Sequence, residues 1–317
     1  MLELDRRDLL KGVATGAVAL TTMGVASAGD GRDQFVVTGR GKGVEKRLDR
    51  AGVDVQATVA DGRVALVAAE SADEVSAVNG VKDVTPNRGY RAVGPEMQST
   101  EESKDEQFAD LQWDKQADAT GAFEAHDVAT GEGRSVAIID TGIDTFHPDL
   151  RNRVGRGQLF RADGVTSPDG SPTVDGDTTI QARLKPDTRE LDPYIWLGAP
   201  RLREQAAADD VDSHGSHCAG IATAKNGDTA AGEDFGIAGM APDAEVVPLR
   251  VFYWKKITDY PYDVDDDGEE ESVTVTTLWT TDFDILNAID YAGEIGVDAA
   301  NMSLGGGVIK GSAHSDG

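Results

Sequence analysis

The sequence predicts an α/β fold: a parallel sheet with helices on both faces, preceded by a smaller unit of element order βαββαβ. Three observations predict it. Short apolar runs such as residues 135–139 alternate with amphipathic or small-residue segments of helical length. Asp140 and Ser303 stand at the carboxyl ends of such runs, where open α/β sheets gather their chemistry. Residues 33–88 carry a set of strand and helix signals of their own, closed off by a polar, acidic stretch.

The smaller unit comes first. Residues 34–37 are a short apolar strand, and residues 44–51 read as helix, with Val44 and Leu48 four apart and charges opposite. Residues 54–59 and 64–68 are strands joined across Asp61-Gly62, a strong hairpin turn. Ser71-Ala72-Asp73-Glu74 is a capping box that opens a second helix, and Asn79-Gly80 ends it. Residues 81–84 are the last strand. This order is ferredoxin-like, a fold that hosts many functions. Residues 93–110, with Glu101-Glu102 and Asp105-Glu106, form an acidic, aperiodic linker and processing region.

From Leu111 the pattern is α/β. Residues 121–126 are a short helix, 135–139 a buried parallel strand and 217–224 a helix rich in small residues. A strand follows at 244–251. Residues 283–295 are an amphipathic helix with Ile285, Ala288, Ile289 and Ala292 on one face, and 298–303 are the next strand. Residues 161–193, rich in Gly, Pro, Asp and Thr, read as inserted loops.

The net charge is −27, and it is unevenly placed: residues 93–317 hold 44 acids against 17 bases, whereas the preceding residues balance. So acidic a surface repels nucleic acid and anionic lipid, which excludes both as partners. It also fits life in high salt, where counterions screen the self-repulsion. Arg6-Arg7, a mildly apolar stretch to Val25 and Ala26-Ser27-Ala28 read together as a twin-arginine signal peptide over residues 1–28. That stretch is too weakly apolar for a stable membrane span, so the mature protein is expected outside the cell and off the membrane. Cys218 is the one cysteine, so no intrachain disulfide forms, and bound calcium is the expected staple.

Three blocks carry chemistry. The first is Val136-Ala137-Ile138-Ile139-Asp140-Thr141-Gly142, a carboxylate where a buried strand emerges, with a glycine for the turn. The second is Asp212-Ser213-His214-Gly215-Ser216-His217-Cys218-Ala219-Gly220, a histidine at a helix start followed by little side-chain bulk. The third is Asn301-Met302-Ser303-Leu304-Gly305-Gly306, whose glycines expose backbone groups to an extended peptide. A serine hydroxyl is a poor nucleophile; it needs a base, and the base needs a carboxylate to fix its tautomer. His214, His217 and Asp212 as metal ligands lack the glutamate of a zincin helix. Cys218 sits mid-helix behind the histidine, which suits a small core residue better than a nucleophile. Separately, Asp263, Asp265 and Asp267 with Gly268 have the spacing of a calcium loop, although Thr274 stands where an EF-hand places glutamate. A solvated acidic insertion explains that loop equally well.

In that order the three blocks, with Ile143-Asp144 and His147-Pro148-Asp149-Leu150, resemble the subtilase family of serine endopeptidases over about residues 33 to 306. The likeness is to halolysins and to the thermitase and proteinase K type; Ser216 departs from the more usual threonine. The resemblance implies an incomplete subtilisin-like sheet. It implies Asp140 orienting His214, with His214 as general base and then acid, and polypeptide substrates bound along Ser303, Leu304, Gly305 and Gly306. It implies Asp149 as a calcium ligand, joined by Asn226 or Asp228, and a thiol-reagent sensitivity at Cys218. Residues 29–92 become a propeptide that templates folding and acts as an intramolecular inhibitor. The family's Gly-Thr-Ser-x-Ala nucleophile block and its oxyanion-binding asparagine are expected beyond residue 317, since Ser312 and Ser315 lack that setting. The expectation is a secreted protease precursor whose residues 111–317 are the first part of the catalytic domain, inactive alone. A non-catalytic pseudoprotease, or an inhibitor and folding fragment of propeptide type, stays open as the alternative.

Overall fold

The computed structural model describes residues 18–28, 30–93, 112–151, 153–161, 173–175, 179–184, 186, 189–192, 195–225, 236–265 and 267–306. The arginine pair, most of the linker, Asn226, Asp228, Ser312 and Ser315 lie outside these residues.

Strand β1 (Val18–Val25) leads into the smaller unit: β2 (Asp33–Gly39), α1 (Val44–Arg50), β3 (Asp54–Val59), β4 (Val64–Ala69), α2 (Ala72–Ser76) and β5 (Val81–Pro86). The sheet order is β3-β4-β2-β5, every pair antiparallel. Side chains alternate across it. Phe35, Val37, Ala65 and Val67 meet Val44 and Leu48 of α1 and Val75 of α2 on one face. Val36, Val59 and Leu66 point the other way and enclose Phe283, from the larger unit. The Ser71 hydroxyl accepts from the amide of Glu74 and so caps α2. The turn after β3 places Ala60, Asp61 and Gly62 at positive φ, and the Ala60 amide donates to Asp290.

The larger unit adds β6 (Arg88–Val93), α3 (Ala122–His126), β7 (Ser135–Asp140), β8 (Gln158–Phe160), β9 (Thr173–Asp175), β10 (Thr179–Leu184), β11 (Glu190–Asp192), β12 (Ile195–Leu197) and β13 (Arg201–Ala206). Then come α4 (His214–Thr223), β14 (Glu245–Arg250), β15 (Tyr253–Tyr262), β16 (Glu271–Thr281), α5 (Asp282–Ile295), β17 (Ala299–Asn301) and β18 (Leu304–Gly306). Strands β17, β7, β14 and β8 are parallel neighbours in that order, with β9 antiparallel at the edge. Ala137 and Ile139 of β7 face Ala288 and Ala292 of α5, while Ile138 faces Cys218 and Ala219 of α4. The two helices therefore cover opposite faces, as expected of a parallel sheet. A capping box holds the start of α5: the Thr281 hydroxyl accepts from the Asp284 amide, and Asp284 returns a bond to the Thr281 amide.

A second sheet runs β11-β12-β16-β6-β1-β18, with β15 hairpinned onto β16. This sheet is not among the elements that the sequence predicts. Residues 161–193 were expected as loops, yet β9, β10 and β11 lie there, because alternating stretches such as Thr-Ile-Gln-Ala-Arg-Leu find strand partners, here β13. Residues 18–25, expected inside a signal peptide, form a strand for the same reason: β-branched residues recur through Val-Ala-Leu-Thr-Thr-Met-Gly-Val. The calcium-type loop caps the β15–β16 hairpin.

Candidate active site

Strand β7 ends at Asp140, whose side chain is fully buried, and the chain turns at once through Thr141 and Gly142. Gly142 has φ +107, and a Cβ there would lie 2.4 Å from the Asp209 carbonyl oxygen. Helix α4 starts against this turn. Ser213 precedes it at φ +81, a left-handed conformation uncommon for serine, and His214 is its first residue. Nδ1 of His214 lies 2.8 and 3.0 Å from the two carboxylate oxygens of Asp140. A carboxylate only accepts, so Nδ1 carries a proton, and whenever the ring is neutral its lone pair is on Nε2.

Burial is the largest single influence on His214 and opposes its protonation, but the hydrogen bonds to Asp140 and Cys218 and the negative charge on both together outweigh it, and the pKa is raised. The pair's contribution is fully present below the ordinary histidine value of 6.5 and is lost as pH rises through the elevated folded-state value. Urea unfolding from pH 6 to 9 should show stability falling with pH, by at most about 1.4 kcal/mol per unit, and Asp140→Asn should flatten that slope. An unchanged slope in the variant would assign it to other groups.

Sequence reasoning missed the group that holds this arrangement together. Asp210 Oδ1 accepts from the Thr141 hydroxyl at 2.8 Å and from the amides of Asp212 and Ser213 at 2.9 Å each. Its Oδ2 accepts from the Ser216 amide at 2.9 Å and from the Ser216 hydroxyl. Thr141 in turn accepts from the Gly215 amide, and Ser216 from the Asp144 amide. One carboxylate thus ties the turn after Asp140 to the first turn of the histidine helix. An acid four residues before a helix start was the available signal. Behind it Arg250, at the end of β14 beside Asp140, is buried and donates to the carbonyls of Ala207, Asp209 and Phe252. Those bonds fix the loop on which Gly142 rests.

Cys218 lies one turn along α4, its sulfur 3.8 and 3.9 Å from the two His214 ring nitrogens. Burial raises its thiol pKa, but hydrogen bonding to His214 and His217 more than offsets this, and the net shift is downward. A cavity of about 630 Å³ opens beside it, lined by His217, Cys218, Met240, Met302, Ser303 and Leu304 among others. The structure therefore brings Ser303 and Leu304 next to the histidine helix. The Ser303 hydroxyl is bonded to Asn301, and residues 304–306 form β18.

The acidic residues fall into two places. Oxygens of Asp263, Asp265 and Asp267 lie within 4.8 Å of one another, a set of hard donors that suits calcium. Both Asp263 oxygens also accept backbone amides, from Asp267 and Gly268. Asp149 is not brought to them and joins no group of three such ligands among the described residues. Burial raises its pKa, and its carboxylate lies against Gly236.

Comparison with known proteins decides what this geometry belongs to. The model of the subtilase family, Peptidase S8, matches residues 131–316. The chain belongs to the subtilase family. Thermitase from Thermoactinomyces vulgaris is 29% identical over 185 residues, covering 58% of this chain and 42% of thermitase. An extracellular protease from Xanthomonas campestris pv. campestris is 35% identical over 127 residues, 40% of this chain and 19% of that protein. The structure of fervidolysin from Fervidobacterium pennivorans aligns with a TM-score of 0.46 at 18% identity, over 91% of this chain and 39% of fervidolysin. This subtilase spans less than half the length of each of these relatives. No helix among its described residues is long and apolar enough to cross a membrane.

Proposed function

We propose that the chain is the precursor of a secreted serine endopeptidase. In this reading His214 takes the proton of an attacking serine and later gives it to the leaving amine, while Asp140 holds the imidazole tautomer and offsets its positive charge. The observation that carries the reading is the buried Asp140 carboxylate within 3.0 Å of His214 Nδ1, in a chain of this family. The serine comes from sequence beyond residue 317, and the polypeptide substrate pairs with β18. Residues 29–92 then serve as propeptide, supported by the packing of Val36, Val59 and Leu66 on Phe283 and by β6 lying in one sheet with β16.

A fluorophosphonate probe tests this. Expressed with its downstream sequence, the protein should be labelled on a serine past residue 317, and His214→Ala should abolish labelling. Labelling within residues 1–317 alone, or labelling indifferent to His214, would overturn the reading.

Calcium is proposed as a structural ion held by Asp263, Asp265 and Asp267. Adding millimolar calcium to chelator-treated protein should raise the melting temperature by a few degrees, as expected for a ligand well above its dissociation constant. Asp263→Asn with Asp265→Asn should remove that response.

A further inference from the structure

Strand β1 has a position that export does not explain. Strand β6 pairs with the edge of β16, through Thr281↔Gly89, Thr280↔Tyr90 and Trp279↔Arg91, but the described β6 has no pairing with β18. Between β6 and β18 runs β1. On one side it is antiparallel to β6, with Ala19↔Val93, Leu20↔Ala92, Thr21↔Arg91 and Thr22↔Tyr90. On the other it is parallel to β18, with Val18↔Leu304, Ala19↔Gly305 and Leu20↔Gly306. Ala19 and Leu20 are therefore paired on both edges.

We infer that residues 18–25 plug the peptide-binding cleft, as a strand that occupies the Leu304–Gly306 edge and must leave before an extended substrate can pair there. The inference rests on the reading of β18 as the substrate-pairing segment. A strand edge offers one row of amides and carbonyls, so β1 and a substrate cannot both use it. Strands lie about 4.8 Å apart, so losing β1 leaves roughly 10 Å between β6 and β18, the space for one extended chain paired on both sides. The plug is also tethered. The Ala26 amide donates to the Asn87 carbonyl, the Gln34 amide donates to the Ala26 carbonyl, and Ser27 bridges Asp33. Only seven residues separate β1 from β2, which holds the strand at high effective concentration over its site. Ala26 and Ala28, the small residues that suit a signal peptidase, are themselves buried. Removing the plug by cleavage there first requires this segment to open.

Two measurements on the full chain test the plug. With Cys218→Ser as background, Val18→Cys combined with Leu304→Cys should form a disulfide, since directly paired strand positions fall within bridging distance. Leu20→Pro removes an amide from the middle of β1 and should speed hydrogen exchange at residues 304–306 at least roughly tenfold. Exchange across residues 33–86 should stay as it was, which shows that the variant is folded. Failure of the disulfide, or unchanged exchange at 304–306, would overturn the inference. A fluorescently labelled, uncharged extended peptide tests the underlying reading separately. If exchange accelerates in Leu20→Pro but the peptide does not bind, β1 covers β18 and the substrate role of β18 is what fails.

Discussion

Gly215→Ala should destabilise the chain by roughly 3 kcal/mol, the upper end of overpacking costs. Within a helix, glycine to alanine ordinarily stabilises, by up to about 1 kcal/mol. Here the added Cβ would sit 2.1 Å from the Gly142 carbonyl oxygen and 3.1 Å from the Gly142 carbonyl carbon and amide nitrogen. Gly142 has no room to retreat, because its own α-carbon is packed on the carbonyls of Ala208 and Asp209. The turn after Asp140 is thus clamped between helix α4 and the Arg250-pinned loop. Gly293→Ala in α5 is the matched control. Nothing lies within 4 Å of its would-be Cβ, so it should stabilise by about 0.5–1 kcal/mol. Urea denaturation of the two variants should move in opposite directions. If both stabilise, the close approach of α4 to Gly142 is wrong.

Asp210→Ala should cost a similar amount, about 3 kcal/mol, because it strips five donors of a charged acceptor at once. Asp210→Asn makes the argument specific. Its amide keeps one oxygen, enough for Thr141, Asp212 and Ser213, but presents a donor where Ser216 needs an acceptor. The asparagine variant should therefore recover about half of the loss. An alanine variant as stable as the parent would mean that solvent replaces the carboxylate, and that Asp210 does not hold the His214 turn.

Much of this site was legible beforehand because its signals are local. An apolar run ending in Asp-Thr-Gly fixes a strand and its exit, and a histidine ahead of small residues fixes a helix start that can approach closely. The helix periodicity of residues 283–295 and the turn at Asp61-Gly62 belong to the same class. What was not legible depends on partners far away in the chain. Strand β16 alternates polar and apolar residues only as far as Thr276, and Val275 to Thr281 are all buried, so the strand does not read as having one wet face. Strand β6 owes its pairing to β16, almost two hundred residues later, and to Gly89, which leaves space for the ring of Trp279. Asp210 looked like one more acid in an acidic chain. Its role is set by Thr141, which only the folded sheet brings within reach.

Phe283 carries a further consequence. It is 1% exposed, seated among Val36, Val59 and Leu66, and its amide donates to the buried side chain of Asn87. Arg88 and Tyr90 both reach Asp282 next to it. A cut in the linker after residue 93 would break a covalent bond and leave all of these contacts standing. Burial of one phenylalanine alone is worth about 2 kcal/mol. Scission and separation are then two events with two clocks. The nicked molecule would persist as a complex whose lifetime is set by how fast Phe283 is withdrawn, and any activity unmasked by processing would appear after a lag behind the cut.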